Sequence, residues 1–72
     1  MPYVKNKQDG LLSVADAART VGLSYWRLWS RIYNTHEIEE PQTSIGLRVY
    51  YDPVQIQRVV EQVTTLRAKG VL

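Results

Sequence analysis

Apolar residues early in the chain recur at helical spacing: Val14, Ala17, Ala18 and Val21 fall at i, i+3, i+4 and i+7. Ser13 stands before them as an N-cap whose hydroxyl can accept from first-turn amides, and Asp16 suits the positive end of the helix. Together these residues predict a helix of about two turns. Gly22 ends it, because glycine takes the left-handed conformation at a helix C-terminus without a Cβ clash, and Leu23 can fold back onto the apolar face. Ser24 then caps a second helix. Its inward stripe is Tyr25, Leu28, Trp29 and Ile32, and its outward stripe is Arg27, Ser30, Arg31 and Asn34. Two helices separated by so tight a break cross at a steep angle.

From Glu37 the helical period is lost. Pro41, Thr43, Ser44 and Gly46 predict a loop leading from Ile38 to a β-rich stretch at 47–51, Leu-Arg-Val-Tyr-Tyr, which reads as a small hairpin or wing. Asp52 and Pro53 supply an N-cap and a first-turn proline for a last helix, with Ile56, Val59, Val60, Val63 and Leu66 as its apolar stripe. Lys69 favours the negative end of that helix and Gly70 stops it. The expected fold class is mainly α with a small β-hairpin, in the order of a winged helix-turn-helix. Residues 1–10 lack periodic apolar positions and end in the turn signal Gln-Asp-Gly, which predicts a mobile N-terminal arm ahead of one domain at 11–72.

With 72 residues there is room for one modest core, since a chain this short buries only about 60% of the surface exposed when unfolded. Two Trp and five Tyr, with no Phe, must supply much of that area. The absence of cysteine removes disulfides, thiolate metal sites and thiol nucleophiles. No apolar run approaches the ~20 residues of a membrane span, and the start lacks the apolar core of a secretory signal. The expectation is a soluble cytoplasmic protein of a bacterial or phage-infected cell, with no membrane partner. A net charge of +2 decides little, but its distribution matters. Arg19, Arg27 and Arg31 face Asp16 alone in the bihelical region, whereas Glu37, Glu39 and Glu40 cluster later.

A bihelical unit with a basic, hydrogen-bonding stripe on its second helix is a device for placing side chains in the DNA major groove. The stretch 12–24, Leu-Ser-Val-Ala-Asp-Ala-Ala-Arg-Thr-Val-Gly-Leu-Ser, resembles the opening of the MerR-like and phage-excisionase-like winged-helix DNA-binding domains. The stretch 47–53, followed by Val54, Ile56 and Val59, resembles their wing strand running into the next helix. The resemblance covers residues 12 to 70. It implies that Tyr25, Trp26, Arg27 and Arg31 meet the major groove, while Arg48 in the wing touches backbone or minor groove. Glu39 and Glu40 fall in the expected wing loop, where such wings are commonly basic, which moves the burden of recognition onto Arg27 and Arg31. The resemblance stops about where MerR-type regulators continue into a coiled coil and an effector domain, so a protein without effector sensing is expected.

The residues carry chemistry that agrees with this. Arginine pairs bidentately with guanine O6 and N7, worth about 1–3 kcal/mol of discrimination; Asn34 can read adenine in the same way, but lies at the far end of the helix where phosphate is the nearer partner. Ser30 completes the outward stripe. Ser13 and Ser24, at two helix N-termini, present amides that suit phosphate oxygens. Lys5 and Lys7 can follow the backbone or enter a minor groove as an arm, or can simply solubilise the chain. Trp29 is expected in the core. Trp26 falls between the stripes, to flank the core, stack on a sugar or meet a second subunit, and Tyr25 can pack or contact phosphate. Arg27, Arg31 and Arg48 also have a plainer reading as solvated surface groups.

No cofactor or metal is expected: His36 stands alone in a loop and the acidic cluster reads as solvated or as a docking surface. One histidine, no cysteine and no Gly-rich phosphate loop leave little from which to build a catalytic pocket, so an enzyme is not expected. The function expected is sequence-specific binding of double-stranded DNA, by a small transcriptional regulator or a recombination directionality factor of phage or mobile-element type. The alternative is a protein–protein interaction module using the same bihelical face. A single small module needs a homodimer or a head-to-tail array on DNA to reach useful affinity, and Val71 and Leu72 are free to extend an interface. A recombinase or another protein is a further candidate partner. Arg27→Ala and Arg31→Ala are expected to abolish sequence preference while leaving the fold intact.

Overall fold

Three helices and one antiparallel hairpin are formed by the described residues, in the order α1 (Val14–Val21), α2 (Tyr25–Tyr33), β1 (Thr43–Ile45), β2 (Arg48–Tyr50) and α3 (Pro53–Ala68). The computed structural model describes residues 10–72, so the expected arm, with Lys5 and Lys7, lies outside the described residues apart from Gly10. The caps are those the sequence implies. Ser13, Ser24 and Asp52 each accept from the backbone N–H three residues on, at Asp16, Arg27 and Gln55.

Gly22 takes φ 75, and its N–H and that of Leu23 return to Arg19 and Ala18 carbonyls, so the turn satisfies two of the orphan acceptors at the end of α1. Arg67 of α3 reinforces this turn, donating from Nη2 to the Val21 carbonyl at 2.7 Å. Gly70 ends α3 in the same way, with its N–H on Arg67 and that of Val71 on Leu66. Leu72 packs against the core and the Val71 carbonyl is held by Arg31, so the last two residues belong to the domain instead of extending freely from it.

The core is formed by Ala17, Ala18 and Val21 of α1, Leu28 and Ile32 of α2, Ile38, Tyr51, and Val59, Val63 and Leu66 of α3. Small residues on α1 let the other two helices approach closely. The buried stripe of α3 is Gln55, Val59, Val63 and Leu66, and Val60, expected within it, is 40% exposed. Gln55 is buried because each of its amide atoms has a partner: Nε2 donates to the Glu40 carbonyl and to Glu39 Oε1, and Oε1 accepts from the Gln42 N–H.

The stretch expected as a loop before residue 47 contains the first strand. Thr43, Ser44 and Ile45 pair with Tyr50, Val49 and Arg48 across a two-residue turn, Gly46-Leu47. Gly46 has φ 61 and Leu47 does not share its positive sign, the signature of a type II′ turn. The acidic residues are therefore not in the hairpin loop, as the sequence had suggested. Glu39 lies in the connection from α2, where Arg58 (2.9 Å) and Gln62 (2.9 Å) of α3 donate to it.

Tyr51, completely buried, follows β2 and joins three parts of the fold. Its backbone exchanges hydrogen bonds with Leu12 at 2.8 and 2.9 Å, and its hydroxyl donates to the Glu39 carbonyl at 2.6 Å. Burial pushes the phenol above its ordinary pKa, so it stays a donor. Tyr51→Phe leaves that carbonyl without its partner and is expected to cost about 1–2 kcal/mol in denaturant unfolding, with the far-ultraviolet spectrum unchanged.

Donation by Arg58, with Gln55 and Gln62, holds the Glu39 carboxyl below its usual range. The fold therefore favours the ionised form, and the contribution is complete above the unfolded value near 4.3 and lost as pH falls through the lower folded value. Stability measured against pH is expected to drop below about pH 4.5, and Glu39→Gln to flatten that drop while lowering stability at neutral pH.

Candidate nucleic-acid interface

Helix α2 turns only Leu28 and Ile32 fully into the core. Tyr25, Trp29 and Tyr33, at i, i+4 and i+8, instead form one wall of a groove of about 450 Å³. Trp29 is thus half-buried, not a core residue: the alanines of α1 leave space for the Leu28–Ile32 row alone, and the neighbouring row overhangs the hairpin. The opposite wall is Leu47, Arg48, Val49 and Tyr50, and Ser13, Val14 and Ala15 at the start of α1 complete it. No carboxylate among the described residues lines this groove.

The aromatic side chains are mutually ordered. Tyr25 meets Trp26 edge-to-face at 5.2 Å between centroids, Trp26 meets Trp29 in the same way at 5.7 Å, and Trp29 lies tilted against Tyr33 at 5.2 Å. Such contacts fix ring orientations that a lone exposed side chain would not keep. Trp26 is nevertheless 68% exposed. Burial and the charge of Glu40 raise the Tyr33 phenol above its ordinary value, leaving it an O–H donor at neutral pH.

The outward stripe divides by what its members already hold. Arg31, expected to read bases, donates from Nη1 to Glu37 Oε1 and from Nη2 to the Val71 carbonyl, both at 2.6 Å. Its own carbonyl accepts from the Glu37 and Ile38 amides, where His36 turns the chain with φ 58. These bonds clamp the end of α2 to the chain terminus. Asn34 donates to Ser30 Oγ at 3.3 Å, and Ser30 shares a shallow depression with Trp26, Arg27 and Arg31.

The remaining guanidiniums sort the same way. Arg19 pairs with Asp16, Arg58 with Glu39, and Arg67 caps α1. Arg27 and Arg48 are exposed and have no partner among the described residues. Arg27 lies on the first turn of α2 just after Ser24, and Arg48 opens β2 beside the groove. Ser13 and Ser24 spend their hydroxyls on the caps, at 3.2 Å each, so what they can offer a ligand is the donor-rich helix start. No local feature of the sequence separates Arg31 from Arg27, because Glu37 returns to α2 only through the turn at His36.

Comparison with models of known protein families, with curated proteins and with solved structures finds no match. Among the described residues no helix is long and apolar enough to cross a membrane. Arg31→Ala, which removes the clamp to Val71, is expected to lower the unfolding midpoint by about 4–8 °C, the shift that a loss of about 1 kcal/mol makes in a domain of this size. Arg27→Ala is expected to leave it within about 0.5 kcal/mol of the parent, by thermal scan.

Proposed function

We propose that the protein binds double-stranded DNA sequence-specifically, as a small winged helix-turn-helix regulator or recombination directionality factor of the MerR-like and excisionase-like kind. The observation that carries this reading is the placement of the two unpaired guanidiniums. Arg27 stands on the helix that follows the three-residue turn, Arg48 stands on the hairpin, and a carboxylate-free aromatic groove separates the two elements. A helix in a major groove and a wing in the adjacent minor groove straddle one sugar–phosphate strand. The groove between α2 and the hairpin suits that strand, with apolar ring edges for the sugars, Arg48 and the Tyr33 hydroxyl for phosphate, and the helix starts at Ser13 and Ser24 for further oxygens.

In this reading Arg27 is the base-reading side chain and Arg48 the backbone contact. Arg31 instead holds the end of α2 to Glu37 and the Val71 carbonyl. A homodimer or head-to-tail array supplies the affinity that one module lacks. A second reading, docking of a partner protein, is favoured by one observation, the 68% exposure of Trp26.

Selection from a random pool of duplexes, followed by binding at several salt concentrations, separates the two. The DNA reading expects an enriched motif and a linear fall of log K with log salt. Arg48→Ala is expected to reduce that slope by about one and weaken all sequences alike, whereas Arg27→Ala costs about 1–3 kcal/mol at its own base pair and relaxes preference there. No enrichment, with binding of a protein partner that is insensitive to salt, overturns the DNA reading.

A further inference from the structure

The hairpin tip has an unusual occupant. A type II′ turn needs glycine at its first central position, which Gly46 supplies, and its second position is normally given to a small polar residue with no part in packing. Here it carries Leu47, as exposed as an isolated side chain at 105% of its reference surface. Nothing in the fold explains it. Ile45 and Val49 behind the tip are each 42% exposed and, by the pairing register, project from opposite faces of the hairpin, so its end is an apolar ridge with apolar surface on both faces. From residue 41 to residue 51 there is no acidic side chain, and the only charge on the ridge is the unpaired Arg48.

An apolar ridge bearing an unpaired cation, and reaching the aromatic groove through Leu47 and Arg48, is complementary to a polyanion with an apolar interior. A duplex is such a partner: phosphates line its grooves and stacked bases lie at their floor. Proteins that enter the minor groove use leucine and similar side chains as wedges between base pairs, unstacking one step and kinking the helix axis. The rigid two-residue turn suits this use, since it holds the leucine out on paired strands and not on a long loop.

We propose that Leu47 is a wedge: the hairpin tip enters the minor groove, Arg48 engages the flanking phosphate, and the Leu47 side chain intercalates partly at one base step and bends the duplex. The inference rests on the DNA-binding reading above. Flexible pyrimidine–purine steps unstack most readily, so the wedge favours a TA or CA step at the position under the tip. That preference arises without a hydrogen bond to any base.

The test uses the full chain and a duplex of about 30 base pairs selected from a random pool by the parent protein, with dyes at its ends and 2-aminopurine at successive steps. The parent is expected to bend it by about 20–90° and to raise 2-aminopurine emission at one step. Leu47→Ala, at a position with no role in the core, is expected to keep the fold, to bind about tenfold more weakly, and to lose both bend and emission. Leu47→Met is expected to retain them. Binding by parent and Leu47→Ala with equal bending, or with no unstacked step in either, overturns the wedge and leaves the DNA reading standing. Failure of the parent to bind any duplex overturns both.

Discussion

The structure depends on Tyr51, which is buried completely and is bonded in three directions. Its backbone fastens residue 12, just ahead of α1, to the end of the hairpin, and its hydroxyl fastens the connection from α2 at Glu39. Directly after it, Asp52 caps α3. A single residue, through backbone and side chain together, thus ties the hairpin to the chain ahead of α1 and to the connection after α2. Gln55 and Gln62 extend the arrangement by donating to the Glu39–Glu40 segment, so a stretch without regular structure is fixed along α3 by satisfied polar groups. In a chain with so small an apolar core, these bonds replace packing that the length cannot supply.

The same economy governs charge. Among the described residues four guanidiniums are occupied: on Asp16, on Glu37 with the Val71 carbonyl, on Glu39, and on the last turn of α1. Exposed pairs of this kind contribute little individually, but they determine which positive charges remain for a ligand. Those that remain are Arg48, which lines the aromatic groove, and Arg27, which lies in the shallow depression beside Trp26 and Ser30 on the outward stripe of α2. Of the acidic cluster, which in sequence neutralises the middle of the chain, Glu37 is drawn back onto α2 and Glu39 onto α3, whereas the charge of Glu40 acts on Tyr33. The lining of the groove itself therefore carries one guanidinium, that of Arg48, and no carboxylate among the described residues.

What was legible in the sequence was local. Caps at Ser13, Ser24 and Asp52 and stops at Gly22 and Gly70 depend on a few neighbouring residues, and all are present. What depends on distant partners was not legible. Thr43, Ser44 and Ile45 have the composition of a loop and become a strand only because 48–50 returns beside them. Gln55 looks like a surface residue until residues 39–42 lie against it. Periodicity gave α2 an apolar stripe including Tyr25 and Trp29, but it cannot say how wide a strip the neighbouring helix covers. Two small alanines on α1 cover only the Leu28–Ile32 row, and the aromatic row is left to line the groove.

The central claim, that the groove between α2 and the hairpin is the nucleic-acid face, is tested most directly by nuclear magnetic resonance. Selected duplex would be titrated into isotopically labelled protein while the Trp26 and Trp29 indole signals, the Arg27 and Arg48 guanidinium signals and the backbone amides are followed. The account requires the largest shifts at those side chains and at residues 24–30 and 46–49, with the outward face of α3 at Val54 and Glu61 unmoved. Shifts concentrated on α3, with Arg27, Arg48 and both indoles unchanged, would contradict it.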